Sequence, residues 1–335
     1  MCTWGLTQAR HRLTPVKGLY GLKQAVRIWH ERPKASMEHL GSCSVLGTMR
    51  CSALALGGSE DWAVCAFWFD DETEVGSRGQ LDRVAAMSGQ NYGIYGEGEL
   101  RGTLGIGVYR DYRTHTISIS QEAYIDNLVE RFGLQYANTV TTPLVDPTKD
   151  QFPKTTEEFQ DISGNKYREL LGSLQYIALA ARPDISFALR RLAQFLENPG
   201  HTHLEAARCI LRYLQGTKNW TLNLGGDLTG VEIAMTEKSI GAYVFRIGDG
   251  AISWKTKKQT SVALSSVEAE YMAMCQAAKE AVWLTGLLKD FSTELRTPLI
   301  AFGDSEDTLS LAHNPAFHPR SKHIAIQYHF TRRAV

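Results

Sequence analysis

Apolar residues recur at three- and four-residue steps along Tyr271, Met274, Ala278, Ala281 and Leu288, roughly the spacing of one buried helical face. The polar pair Ser265-Ser266 stands where a cap belongs, so a long helix is expected to begin there. Just upstream, Ala251–Trp254 predicts a short apolar strand, Lys255, Lys257 and Lys258 a basic turn, and Thr260–Ser265 a second strand. A further strand, Ala242–Ile247, precedes the tight turn Gly248-Asp249-Gly250. Leu299–Gly303 reads as a short apolar strand running into Asp304, with a helix after it through His313.

The middle of the chain predicts three helices. Tyr167–Ala181 is stopped by Pro183, and Asp184 is placed to cap the next, Ile185–Leu196. Thr202 with Glu205 three residues later predicts a capping box for Leu204–Leu214, which Gly216 ends. Earlier, Ile117-Ser118-Ile119-Ser120 alternates as a half-buried strand does, and Tyr124, Leu128 and Phe132 line one face of a helix behind it. Val64–Asp71 is an apolar strand ending in two aspartates, and Leu22, Ala25, Val26 and Trp29 form a helical stripe within Leu19–Trp29. Gly41–Gly58 shows no clear period, and the polar, proline-bearing Asp146–Asp161 predicts a linker.

Composition narrows the classes. With 335 residues there is room for two or three domains. Thirty-six basic residues balance thirty-six acidic ones, so attraction to nucleic acid has to come from local patches. The six cysteines form no C-x-x-C pair or zinc spacing and read as reduced thiols. No apolar run reaches the roughly eighteen residues of a membrane span, and no apolar block follows Arg10-His11-Arg12 as in a secretory signal. A soluble intracellular protein of cytoplasm or nucleus is expected.

Two carboxylate features carry candidate chemistry. Asp70-Asp71 places two like charges at a turn; such a pair either sits in solvent or is bridged by a cation, and oxygen ligands suit magnesium. Glu270 falls early in the long helix beside its apolar face, either as a solvated residue favoured by the helix N-terminus or as a metal ligand. Arg190, Arg191, Arg208 and Arg212 are either solvated or phosphate contacts, and His201-x-His203 reads as an exposed helix start.

The segment SWKTKKQTSVALSSVEAEYMA, Ser253–Ala273, resembles the ribonuclease H segment of copia-type retrotransposon polyproteins. LYGLKQAVRIW resembles the same family's reverse transcriptase signature, with Val26 in place of a proline, and VCAFWFDD resembles its Y-V-D-D hairpin, with Trp68 and Phe69 replacing Tyr and Val. GELRGTLGIGVYRDYRTHTISISQEAYI, YRELLGSLQYIALAARPDISFAL and LRYLQGTK continue the likeness. The resemblance implies an α/β and α+β chain in three parts: a partial reverse transcriptase palm over 1–145, a linker and helical connection over 146–226, and a ribonuclease H-like domain over 227–335. Asp70, Asp71, Glu270 and Asp304 would be metal-binding catalytic acids, with Mg2+ as cofactor. Lys23, Gln24, Lys255, Lys257, Lys258 and Lys322 would touch nucleic acid, either an RNA–DNA hybrid or a duplex.

The inventory departs from the family at two nuclease acids. Gly230–Met235 replaces the D-A-D-W-A segment and leaves Glu232 as the only acid there, and His323-Ile324-Ala325 replaces H-I-D. Glu72 and Glu74 are expected to spoil the strand returning from Asp71. A third polymerase aspartate belongs upstream of LYGLKQA, so the polymerase set is expected to be incomplete. The expectation is therefore a truncated, inactive remnant of a reverse transcriptase and ribonuclease H. The alternatives are a nucleic-acid-binding module and a weak metal-dependent nuclease using Glu232, Glu270 and Asp304.

Overall fold

A computed structural model describes residues 4–6, 13–15, 43–46, 52–57, 62–68, 71–93, 98–144, 164–225, 231–236, 240–258, 266–290 and 300–302. The chain mixes helix and sheet and divides into two compact units. The first takes in Met1–Leu100 and Leu284–Glu294; the second takes in Arg101–Trp283 and Leu295–Val335.

In the first unit β1 (Trp4–Leu6) pairs antiparallel with β2 (Leu13–Pro15). A separate four-stranded meander runs β3 (Cys43–Leu46), β4 (Ser52–Gly57), β5 (Trp62–Trp68) and β6 (Asp71–Gly76) in chain order. Two of these strands lie in the stretch that shows no clear period. The strand returning from Asp71 does form, against expectation: Glu72 pairs with Phe67 and Glu74 with Cys65. Among the described residues β6 is the last strand of its sheet, and charged residues suit such an edge. Helix α1 (Arg78–Tyr92) follows, burying Val84 and Met87, and ends on Gly93, whose positive φ of 71° suits a residue without Cβ.

The second unit opens with the sheet of β7 (Gly102–Thr103), β8 (Ile106–Asp111) and β9 (Thr116–Ser120). Helix α2 (Glu122–Arg131) follows, and then α3 (Gly164–Ala180), α4 (Ser186–Leu192) and α5 (His201–Gly216). A short 3-10 turn flanks α4 on each side, which shortens the helix expected there. These four helices share one core that includes Ile125, Leu128, Leu170, Leu174, Ile177, Leu189, Ile210 and Leu214. Their apolar positions recur at helical spacing, which is why they were legible. The fourth strand of the sheet, β10 (Leu222–Gly225), closes it from beyond α5, with Leu222 opposite Ile119 and Asn223 opposite Ser118. The Ser118 hydroxyl donates to Asn223 Oδ1 at 2.7 Å across that seam.

Two capping expectations fail. Helix α5 begins at His201 with Gly200 as its cap, and the Gly200 N–H donates to His203 Nδ1 at 2.8 Å. Glu205 instead pairs with Arg208 at 2.8 Å. Asp184 does not cap α4; Arg182 holds its carboxylate through two nitrogens, at 3.0 and 2.7 Å. A bidentate guanidinium outcompetes a single backbone N–H.

A second sheet orders its strands β13-β12-β11-β14. β11 (Val231–Thr236), β12 (Ile240–Ile247) and β13 (Gly250–Lys258) are antiparallel neighbours, and β14 (Ile300–Phe302) lies parallel to β11. Between β13 and β14 runs α6 (Ser266–Asp290), which buries Tyr271, Met274, Ala278 and Ala281 as its spacing predicts, while Leu288 is half-buried. Lys255, Lys257 and Lys258 lie within β13 rather than in a turn. Among the described residues β13 is the outermost strand of its sheet, and lysines suit an edge; the strand expected over Thr260–Ser265 lies outside the described residues.

Candidate functional site

The second sheet sits between helices on both faces. On one face Tyr243 and Phe245 are buried, and Glu280 of α6 binds down onto the strands. Its Oε1 accepts from the Ser253 hydroxyl at 2.7 Å and its Oε2 from the Tyr243 hydroxyl at 3.3 Å. Burial, and then the adjacent carboxylate, push the Tyr243 phenol well above its usual range. On the other face Trp254 Nε1 donates to the Ala178 carbonyl of α3 at 2.7 Å. Glu280 was not singled out from sequence. The available signal was Tyr243 in an apolar strand, since a buried phenol seeks a partner.

The chain order antiparallel hairpins, helix, parallel strand brings the amino end of α6 and the register of β11 and β14 into one account. Glu270 is the fifth residue of α6, half-buried, next to fully buried Tyr271. Glu232 lies opposite Ile300, and Ala234 lies opposite Phe302. Because the two strands are parallel, the end of β14 is level with Ala234, so Glu232 lies two residues short of it, about 7 Å. From there to its end β11 reads Ala234-Met235-Thr236 and carries no carboxylate. Glu237 is the next acid in sequence, outside the described residues.

The other expected positions divide as follows. Asp71 opens β6 opposite Trp68, and its side chain is not described. Lys23, Gln24, Asp70, Asp304, Lys322 and Ala325 lie outside the described residues. Lys255 and Lys257 are exposed on β13, and Lys258 ends that strand. Among the described residues, no three His, Cys, Asp or Glu side chains come together as a metal ligand set. With no carboxylate on the carboxyl half of β11, the described donors do not fit a metal pair.

The His201-x-His203 pair divides between solvent and core. His201 is exposed as expected, whereas His203 is fully buried and stacks on Phe195 with ring centroids 4.0 Å apart. Arg182 is likewise buried, and reaches the Thr217 carbonyl at 3.0 Å and the Thr217 hydroxyl at 2.7 Å as well as Asp184. Tyr213 donates to Asp184 at 2.9 Å, and the rings of Tyr213 and Trp220 flank the guanidinium. This cluster ties the α3–α4 junction to the end of α5, so Arg182 serves the fold. No helix of the described residues is long and apolar enough to cross a membrane.

No family model matches the chain. It is 33% identical over 334 residues, 95% of its length, to the retrovirus-related Pol polyprotein from transposon TNT 1-94 of Nicotiana tabacum, of which it covers 25%. It is also 33% identical over 334 residues to the Pol polyprotein from transposon RE1 of Arabidopsis thaliana, covering 22% of that protein. A third relative, secreted RxLR effector protein 161 of Plasmopara viticola, is 37% identical over 129 residues, 36% of this chain and 91% of the effector. The chain thus spans a quarter or less of the two polyproteins it matches.

Proposed function

Because this chain belongs to the copia-type retrotransposon Pol polyproteins, we propose that it derives from their reverse transcriptase and ribonuclease H region and no longer cleaves RNA in an RNA–DNA hybrid. The observation that carries the reading is the second sheet. Three antiparallel strands, a long helix and a fourth strand parallel to the first follow the order expected of a ribonuclease H-like domain. In open sheets with parallel strands, ligands gather at the carboxyl ends.

Cleavage by such a domain uses two divalent ions about 3.5–4 Å apart, which hold the attacking water and the leaving oxygen when bound. The Ala325 side chain has no donor atom, and the carboxyl half of β11 ends in Ala234, Met235 and Thr236. Glu270 and Asp304 would be the acids left to hold the ions, too few to orient a water for attack. Removing such a group costs orders of magnitude in rate rather than a small factor.

Incubating the purified chain with an end-labelled hybrid and magnesium tests this. The expected result is no cleavage above buffer. Turnover that disappears in Glu270→Gln would overturn the proposal, and a parallel Glu237→Gln variant would show whether that acid had taken the vacant role.

A further inference from the structure

The resemblance places a boundary near residue 226, between a helical connection and a further domain, yet elements from either side of it pack together. β10 lies against β13, and so does α4, all within the second compact unit.

Three glycines bring the two sheets of that unit into contact. β10 is the outermost described strand of its sheet, and its last residue, Gly225, bridges in parallel to Gly248 in the β12–β13 turn. The Asp249 N–H of that turn donates to the Gly225 carbonyl at 3.1 Å. Gly250 is buried, and a Cβ there would meet the Asn223 carbonyl oxygen at 2.5 Å and Leu224 Cα at 2.9 Å. On Gly225, whose φ is 113°, a Cβ would meet the His115 carbonyl oxygen at 2.6 Å. Neither position has room for a side chain, so backbone lies directly on backbone.

A second contact lies at the end of α3. The last four carbonyls of a helix have no partner within it. The Arg182 N–H, which a continuing helix would aim at the Ala178 carbonyl, donates to the Ile177 carbonyl at 3.1 Å. The Trp254 indole N–H takes its place on Ala178 at 2.7 Å. A strand of the second sheet thus caps a helix that supplies Leu170, Leu174 and Ile177 to the helical core.

We propose that the Gly248-Asp249-Gly250 turn and Trp254 form a clasp that joins the second sheet to the helical core as one cooperatively folding body, with no hinge between them. Two domains on a linker open independently, each at its own free energy. Here, opening the second sheet breaks the seam on β10 and uncaps α3, so the helices lose stability in the same event. A ligand bound to either part then stabilises both by the same factor. Such coupling goes beyond the reading above, since it needs no carboxylate, metal or hybrid.

The test is hydrogen exchange of the full, unmutated chain in rising urea, followed by mass spectrometry peptide by peptide. Peptides from β12 and β13 are expected to join those from α3 and α5 in one opening, with a common dependence on urea. Opening of β12 and β13 at lower urea, with α3 and α5 still protected, would overturn the proposal. Two variants locate the clasp. G250A, which forces a Cβ into the seam, is expected to raise exchange about tenfold or more in β12, β13, α3 and α5 alike. W254F, which keeps an aromatic ring and removes the indole donor, is expected to raise it about fivefold across the same peptides. A rise confined to the second sheet in both variants, or no rise in either, would also overturn the proposal. The unmutated chain decides the matter should a variant fail to fold. Because no cleavage is measured, failure here leaves the hybrid result untouched.

Discussion

His203 shows how one side chain can be misread from its neighbours. The H-x-H spacing suggests two surface imidazoles, but the backbone turn at Gly200 directs the second ring inward, against Phe195. Because Nδ1 accepts the Gly200 N–H, the ring's proton belongs on Nε2 and the imidazole is neutral. Burial holds its pKa below the ordinary value of 6.5. Well above pH 6.5 the ring is neutral in both folded and unfolded chains and contributes no pH dependence. As pH falls through 6.5 the unfolded chain takes up a proton that the folded chain refuses, so stability drops until the depressed folded value is passed. Urea unfolding of the natural chain and His203→Gln between pH 7.5 and 5.5 measures this. The natural chain is expected to lose more stability over that interval than the variant; equal losses would place the imidazole in solvent. Arg182 and Glu280 were hidden from sequence for the same reason: their partners, Thr217 and Tyr243, lie thirty-five and thirty-seven residues away.

Elements were legible where their signal is local. The faces of α2, α3, α5 and α6 repeat within the helix itself and need no distant partner. Strand β10 could not be read this way: four residues gain their identity by pairing with β9, roughly a hundred residues earlier. The β7–β8 hairpin adds a local conflict. Its two loop residues, Leu104 and Gly105, both have positive φ, 52° and 74°, the mark of a type I′ turn. Glycine suits that turn and leucine does not, at about 1–2 kcal/mol for the left-handed conformation. The Tyr176 hydroxyl donates to the Leu104 carbonyl and Tyr124 lies edge-on to Tyr176, so contacts from two helices keep the tip in place. Leu104 is 41% exposed, so little burial is lost on replacing it. Leu104→Asn, which creates the favoured Asn-Gly pair, is expected to raise stability by about 1 kcal/mol in urea unfolding. A loss of stability instead would mean that the leucine side chain holds the tip.

At the scale of the molecule, family likeness and chemical competence rest on different residues. Sequence pattern carries the arrangement of the second sheet through many apolar positions, each replaceable by another of similar size. Metal chemistry rests on a few carboxylates with no such redundancy, so a chain can keep the sheet and lose the ions. The register of β11 and β14 makes the point physically, since it leaves Glu232 two residues short of Ala234, where the described part of β14 ends. Binding of an ion to the folded state alone would stabilise it by about 2.7 kcal/mol at a hundred times the dissociation constant, several degrees in a melting scan. For this chain, raising magnesium is expected to move the transition no further than potassium chloride of equal ionic strength, with Glu270→Gln behaving like the natural chain. A magnesium-specific rise that Glu270→Gln abolishes would mean that the remaining acids still hold an ion.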